Sequence, residues 1–179
     1  MKKYLSSAAI LLAIIMSSCT GNNTSEDKEV AIASLNATAN NENIGTAKFY
    51  SLADGQIKMD LTINFAARAD STVAVHFHEH GDCGNMGENA HGHWNPTKEP
   101  HGKWDATNFH SGDIGNIKLD SKGQATLSIT TNRWTTKTGD VKNIIGRGII
   151  VHGGTDDYTT QPTGNSGPRV GCGVIETVK

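Results

Sequence analysis

Helical patterning is nearly missing from this chain, and so is any apolar run long enough to cross a bilayer. Few long stretches repeat apolar residues at the spacing of an amphipathic helix, so helix is expected to be minor. The apolar run Ala8 to Met16 is too short to span hydrocarbon. Positive charge is not in excess: 16 Lys and Arg stand against 18 Asp and Glu, a formal net charge of −2. A nucleic-acid binder is usually more basic, and no nucleic-acid partner is expected. Internal repeats are absent, and nothing signals a second core. The 179 residues, 36% of them hydrophobic, suit one globular domain plus export and linker sequence.

What is present favours an all-β domain: 20 glycines, many Thr, Val and Ile, and turn signals at short intervals. From Val30, the runs VAIASLNAT and TAKFYSLADGQIKMDLTINF alternate or are β-branched, with Asn-rich and Asp54-Gly55 turns between them. Ser71 to His78 reads as another strand, with Val73, Val75 and Phe77 on one face and Ala74, His76 and His78 on the other. Later strands are predicted at Ile117 to Leu119, Ala125 to Thr130, Gly148 to His152 and Gly173 to Val178.

The first nineteen residues read as a leader, because Lys2 and Lys3 precede the short apolar run. Ser17-Ser18-Cys19 follows that run and resembles the lipobox of bacterial lipoproteins, with Met16 in place of the usual leucine. Acylation of Cys19 would anchor the domain to a membrane in the cell envelope, since two or more chains hold stably. The rival reading is an ordinary cleaved signal peptide. Residues 20–29, TGNNTSEDKE, are polar and aperiodic and fit a flexible tether. The domain is expected over 30–179.

Seven of the eight histidines fall between His76 and Asp113, and the eighth is His152. Imidazole is the commonest protein ligand for zinc and copper, so metal binding is the first explanation to test. Period two points His76 and His78 the same way from one strand. His80 qualifies by the same rule, and spacing alone does not say which two of the three ligate. Residues 81–115 form a long loop with little apolar patterning, a length that is usually functional. Within it His93, His101, His110 and Asp113 supply donors for a tetrahedral structural zinc site.

Three cysteines are an odd number for an exported protein until Cys19 is given to the anchor. Cys83 and Cys172 then remain as a pair. A bridge between them would pin the loop near the C-terminal strand, and an oxidising compartment would let it form. Two buried free thiols are the alternative.

The order HFHE, GD, HxNP, HG, HSGDIGN, IIGRGIIVH, TGN, R and CGVI resembles the copper-zinc superoxide dismutase family, from about Val30 to the C-terminus. The resemblance implies an eight-stranded Greek-key β-barrel or sandwich with long loops, an immunoglobulin-like architecture of which this family is itself a known example. It implies copper held by His76, His78, His93 and His152, and zinc held by His93, His101, His110 and Asp113, with His93 a bridging imidazolate. It implies disproportionation of superoxide to O2 and H2O2, with copper cycling between Cu(II) and Cu(I) and His93 taking a proton when copper is reduced. Arg169 would attract and orient the anionic substrate beside copper. Asp156 would link a copper-bound to a zinc-bound imidazole.

Bland rivals stand beside these roles: a loop-bracing Arg169, a turn-capping Asp156, and Trp94, Trp104 and Trp134 as packing residues. His80 and His91 have no ligand role in the family and read as solvent-exposed, with an accessory metal or delivery site as the alternative. The segment 153–168 looks shorter and poorer in charge than its eukaryotic counterpart, with Thr159, Thr160 and Gln161 where steering charges would stand. Monomer or homodimer is open. The rival function is an exported copper- or zinc-binding buffer or carrier without dismutase activity.

Overall fold

The strands form where apolar residues alternate with polar ones. In β3 (Ile57–Asn64) the side chains of Ile57, Met59, Leu61 and Ile63 are buried, and the polar residues between them face outward. Its neighbour β2 (Asn43–Ser51) buries Ala47 and Phe49 against them. The two are joined through the expected turn, where Asp54 Oδ1 accepts from Gln56 N at 3.0 Å and Gly55 takes φ +83°. That positive φ is why glycine stands there.

The computed structural model describes residues 27–179. The remaining strands are β1 (Lys28–Ala37), β4 (Thr72–His78), β5 (Asp113–Lys118), β6 (Gln124–Thr131), β7 (Gly148–His152), β8 (Arg169–Val174) and the short β9 (Glu176–Thr177). Neighbours run in the order β5-β4-β7-β8-β1-β2-β3-β6, with β9 also on β1, and all pairs are antiparallel. The end strands β5 and β6 are joined by the tight turn at Asp120–Gly123, which nearly closes an eight-stranded barrel. Consecutive strands β3 and β4, and β6 and β7, are not neighbours, the crossover signature of a Greek key. Inside, Phe77 packs on Trp134 at 5.1 Å and on Phe49 at 6.0 Å, and Trp134 Nε1 donates to Ser111 O at 2.8 Å. Trp94 is buried and Trp104 lies on Trp134 at 5.3 Å, so all three indoles pack.

Several strand limits differ from the sequence reading. Strand β5 starts at Asp113 rather than Ile117, because the polar, glycine-containing run DIGN pairs with β4 across a bulge at Val75/His76. Strand β8 starts at Arg169 rather than Gly173, and Ile175 interrupts it before β9 through hydrogen bonds with Gly146 and Arg147. Strand β1 starts at Lys28, so Lys28 and Glu29 of the expected tether pair with Ser51 and Tyr50. The leader and Cys19 lie outside the described residues.

Candidate metal centre

Strand β4 is buried on both faces, and that is what makes the site. Val73, Val75 and Phe77 point into the barrel, while His76 and His78 point outward and are covered by the loop. The strand ends at His78, whose last ladder partner is Gly148 of β7; His80 lies beyond it and is exposed. That settles which two of the three histidines share a site. Strand β7 brings His152 alongside, paired with Ala74.

His76, His78, His93 and His152 converge with their ligating atoms within 4.8 Å of one another, and so do His93, His101, His110 and Asp113. His93 belongs to both groups. All seven residues are buried.

The hydrogen bonds assign tautomers that leave bare lone pairs facing inward. His78 Nδ1 donates to His91 O at 2.8 Å and His152 Nδ1 to Gly167 O at 3.2 Å. Their Nε2 atoms then face each other at 3.3 Å as two acceptors, an arrangement a cation would relieve. His76 Nε2 donates to Asp156, so its Nδ1 is the inward atom, buried and without a partner. His93 Nδ1 donates to Asp113 Oδ1 at 2.9 Å, and its Nε2 is likewise buried and alone. His101 Nδ1 and His110 Nδ1 lie 2.9 and 3.2 Å from Asp113 oxygens, yet neither makes a hydrogen bond. Buried polar atoms are normally satisfied. Four orphaned imidazole nitrogens around two points fit metal ions of the nitrogen-favouring class, copper and zinc.

Charge is distributed unevenly between the two groups. Burial lowers the pKa of His76 and His78, takes His93 to about 4, and takes His152 to about 3. Burial would lower His101 as well, but its hydrogen bond to Asp156 and the charges of Asp113 and Asp156 prevail and raise it to about 9. Burial would raise the two carboxylates, yet their histidine partners hold both well below the usual range. Without a cation the second group therefore recruits a proton, held between His101 and Asp113 by charge rather than by a well-aligned hydrogen bond.

Asp156 links the groups: Oδ2 accepts from His76 Nε2 at 2.8 Å and Oδ1 from His101 Nε2 at 2.9 Å. Asn116 of β5 holds the Asp156 backbone from both sides at 2.8 Å. Gln161 holds the His101 backbone the same way, at 2.8 and 3.0 Å. A Cβ on Gly164 would stand 1.8 Å from Asp156 Oδ1 and 2.5 Å from His101 Nε2, and φ there is +67°, so only glycine fits. The sequence reading missed Asn116 and Gln161 as supports; the TGN motif was the one signal for Gly164.

His78, His93 and His152 open onto a cleft of about 350 Å³ that Arg169 and Glu88 also line. Arg169 is fixed by donating to Gly87 O and His91 O, both at 2.6 Å. Glu88, which sequence reading passed over, lies 3.6 Å from its Nε at the rim. Cys83 and Cys172 form a disulfide, with Cα atoms 5.7 Å apart, tying the loop to β8. His80 and His91 are exposed as expected, with ring centroids 4.7 Å apart.

Known proteins share these features. Residues 43–175 match the family model described as copper/zinc superoxide dismutase. The chain is 35% identical over 140 residues to superoxide dismutase [Cu-Zn] 1 of Aquifex aeolicus, covering 75% of this chain and 81% of that one. It is 42% identical over 106 residues to superoxide dismutase [Cu-Zn] of Candida glabrata, covering 56% and 68%. Among solved structures, a double mutant of a SOD-like protein from Bacillus subtilis matches with TM-score 0.72 and 28% identity, covering 81% of this chain and 96% of that one. With the family match running through most of the barrel and its loops, the chain belongs to the copper/zinc superoxide dismutase family.

Proposed function

We propose that this protein is a superoxide dismutase that converts superoxide to O2 and H2O2, with copper held by His76, His78, His93 and His152 and zinc by His93, His101, His110 and Asp113. One observation carries the reading: two buried donor groups share the single ring of His93, and four of their inward imidazole nitrogens have no hydrogen-bond partner. Copper when bound supplies the one-electron redox chemistry, and zinc, which has no redox change, supplies charge and order. The chain does the rest. The Arg169 guanidinium, fixed at the cleft, attracts and orients a small anion, a steering effect for which this family is itself a known example. His93 Nε2 is the buried atom placed to hold a proton and return it toward product. Asp156 keeps His76 and His101 in the tautomers that leave Nδ1 free. An arginine lining the same cleft as three of the histidines favours an enzyme over a metal buffer or carrier.

The test is dismutase activity of the purified protein together with metals counted per chain. Fast turnover with about one copper and one zinc supports the reading; both metals bound without turnover moves the assignment to the buffer.

The leader supports export, and Cys19 acylation would place the domain at the bacterial cell envelope on a tether that ends where β1 begins. Cys19→Ala should move the protein from the membrane pellet to the soluble fraction, and continued pelleting refutes the anchor.

A further inference from the structure

The two exposed histidines that the dismutase site leaves unused are not scattered. Glu79 and His80 continue β4 outward, and the returning chain lies against them: Glu79 N donates to Gly92 O at 3.0 Å and His80 N to Ala90 O at 3.2 Å. This pairing sets Glu79 and His80 opposite His91, with their ligating atoms within 4.8 Å of one another. Among the described residues none of the three side chains takes a hydrogen bond or an ion pair, so nothing competes for their donor atoms.

The backbone holds the arrangement in place. His91 takes φ +63° and ψ −140°, a conformation that disfavours residues with a Cβ. Its carbonyl accepts from both His78 Nδ1 and Arg169 Nη2. That turns the peptide toward the buried site and leaves the ring outside, against His80. Arg147 Nη1 donates to Glu79 O at 2.7 Å and fixes the facing segment.

We infer that Glu79, His80 and His91 form a third, solvent-exposed metal site that takes Cu(II), with water filling the remaining positions. Two imidazoles and a carboxylate suit the later first-row divalent ions, and copper leads that order for a given donor set. The site is separate from the buried groups and shares no ligand with them. It rests on the dismutase reading only in that the buried groups must be filled before a third ion is counted.

The experiment starts from protein holding one copper and one zinc per chain, adds one further equivalent of Cu(II), and exchanges the buffer through a weak copper chelator. Copper is then counted by emission spectrometry and by the electron paramagnetic resonance spin count. The wild type should retain a second copper with an imidazole-ligated Cu(II) spectrum. His80→Ala and, separately, Glu79→Gln should lose it and keep the first two metals; both residues are exposed, and neither supports the buried groups through its side chain. His91 is left alone because its carbonyl braces Arg169. A wild type that retains no second copper, or variants that retain it as tightly as wild type, overturn the site. Failure to load the first copper and zinc would count against the buried assignment instead, and the difference in total copper between wild type and His80→Ala would still decide this one.

Discussion

Removing the Asp156 carboxylate should release zinc and leave copper largely in place. Asp156→Ala deletes acceptors for two imidazole N–H groups, at 2.8 Å from His76 and 2.9 Å from His101. The two histidines differ in what else holds them. His76 sits mid-strand, paired with Asp113 of β5 on one side and Ile150 of β7 on the other. His101 sits in the loop, where its own backbone groups are held by one side chain, Gln161. The ladder keeps the His76 ring near its place without Asp156, whereas His101 gains rotational freedom and loses its tautomer lock. A hydrogen bond to a charged acceptor contributes about 1.5–3 kcal/mol net. Outer partners of metal ligands contribute about 10- to 100-fold in affinity, the same range. Zinc affinity should therefore fall about 10- to 100-fold, and copper affinity by less than about tenfold. The assay loads the protein with one copper and one zinc, dialyses it against graded chelator, and counts both metals. Copper lost before zinc, or zinc held as in the wild type, would refute the argument from strand and loop.

Other outcomes follow from the same geometry. Arg169→Ala should slow superoxide removal by about tenfold or more and weaken inhibition by small anions, with both metals still bound; steering in this family is itself the known precedent for such a range. Glu88→Gln should raise the association rate at low ionic strength, by about twofold for an exposed rim charge, and the gain should vanish in high salt. Replacing both Cys83 and Cys172 by Ser opens a loop of 89 residues and should cost about 4–5 kcal/mol of unfolding free energy on the chain-entropy estimate, read from denaturant titration. Zinc must displace the proton that His101 holds up to about pH 9, so zinc affinity should rise about tenfold per pH unit from pH 7 to 9 and then level. In the metal-free protein that raised pKa works the other way: its stabilising effect is complete below the ordinary value of 6.5 and is lost as pH rises through 9. A zinc affinity flat across that range, measured by competition with a chelator, would remove the His101 proton from the site.

Much of the site was legible because its ligands obey local rules or recur in a motif order. Period two placed His76 and His78 on one face, and the cysteine pairing followed once Cys19 was set aside. Where the strand stops was not legible, because the end of β4 is set by its last ladder partner, Gly148, seventy residues on. That one tertiary fact separates His78, buried at the site, from His80, exposed beside His91. Strand β5 was read four residues short for a related reason: Asp113 to Asn116 has weak strand character of its own and takes its ladder from β4. Gln161 and Glu88 carry no periodic or motif signal. Each acts across the fold, on His101 and Arg169, which no local spacing records.

The barrel and the loop divide the work. Strands β4 and β7 present three histidines of the first group, His76, His78 and His152, on backbone already fixed by ladders. The second group draws His93, His101 and His110 from the loop, where metal and Asp113 must supply the order that burial of apolar surface does not. Arg169 depends on both. It starts β8, but its two acceptors, Gly87 and His91, lie in the short segment between Cys83 and His93. The disulfide fastens one end of that segment to Cys172, three residues from Arg169, and His93 fastens the other end to the metal groups. The position of the guanidinium over the cleft is thus set jointly by the covalent bridge and by the one histidine that both groups share.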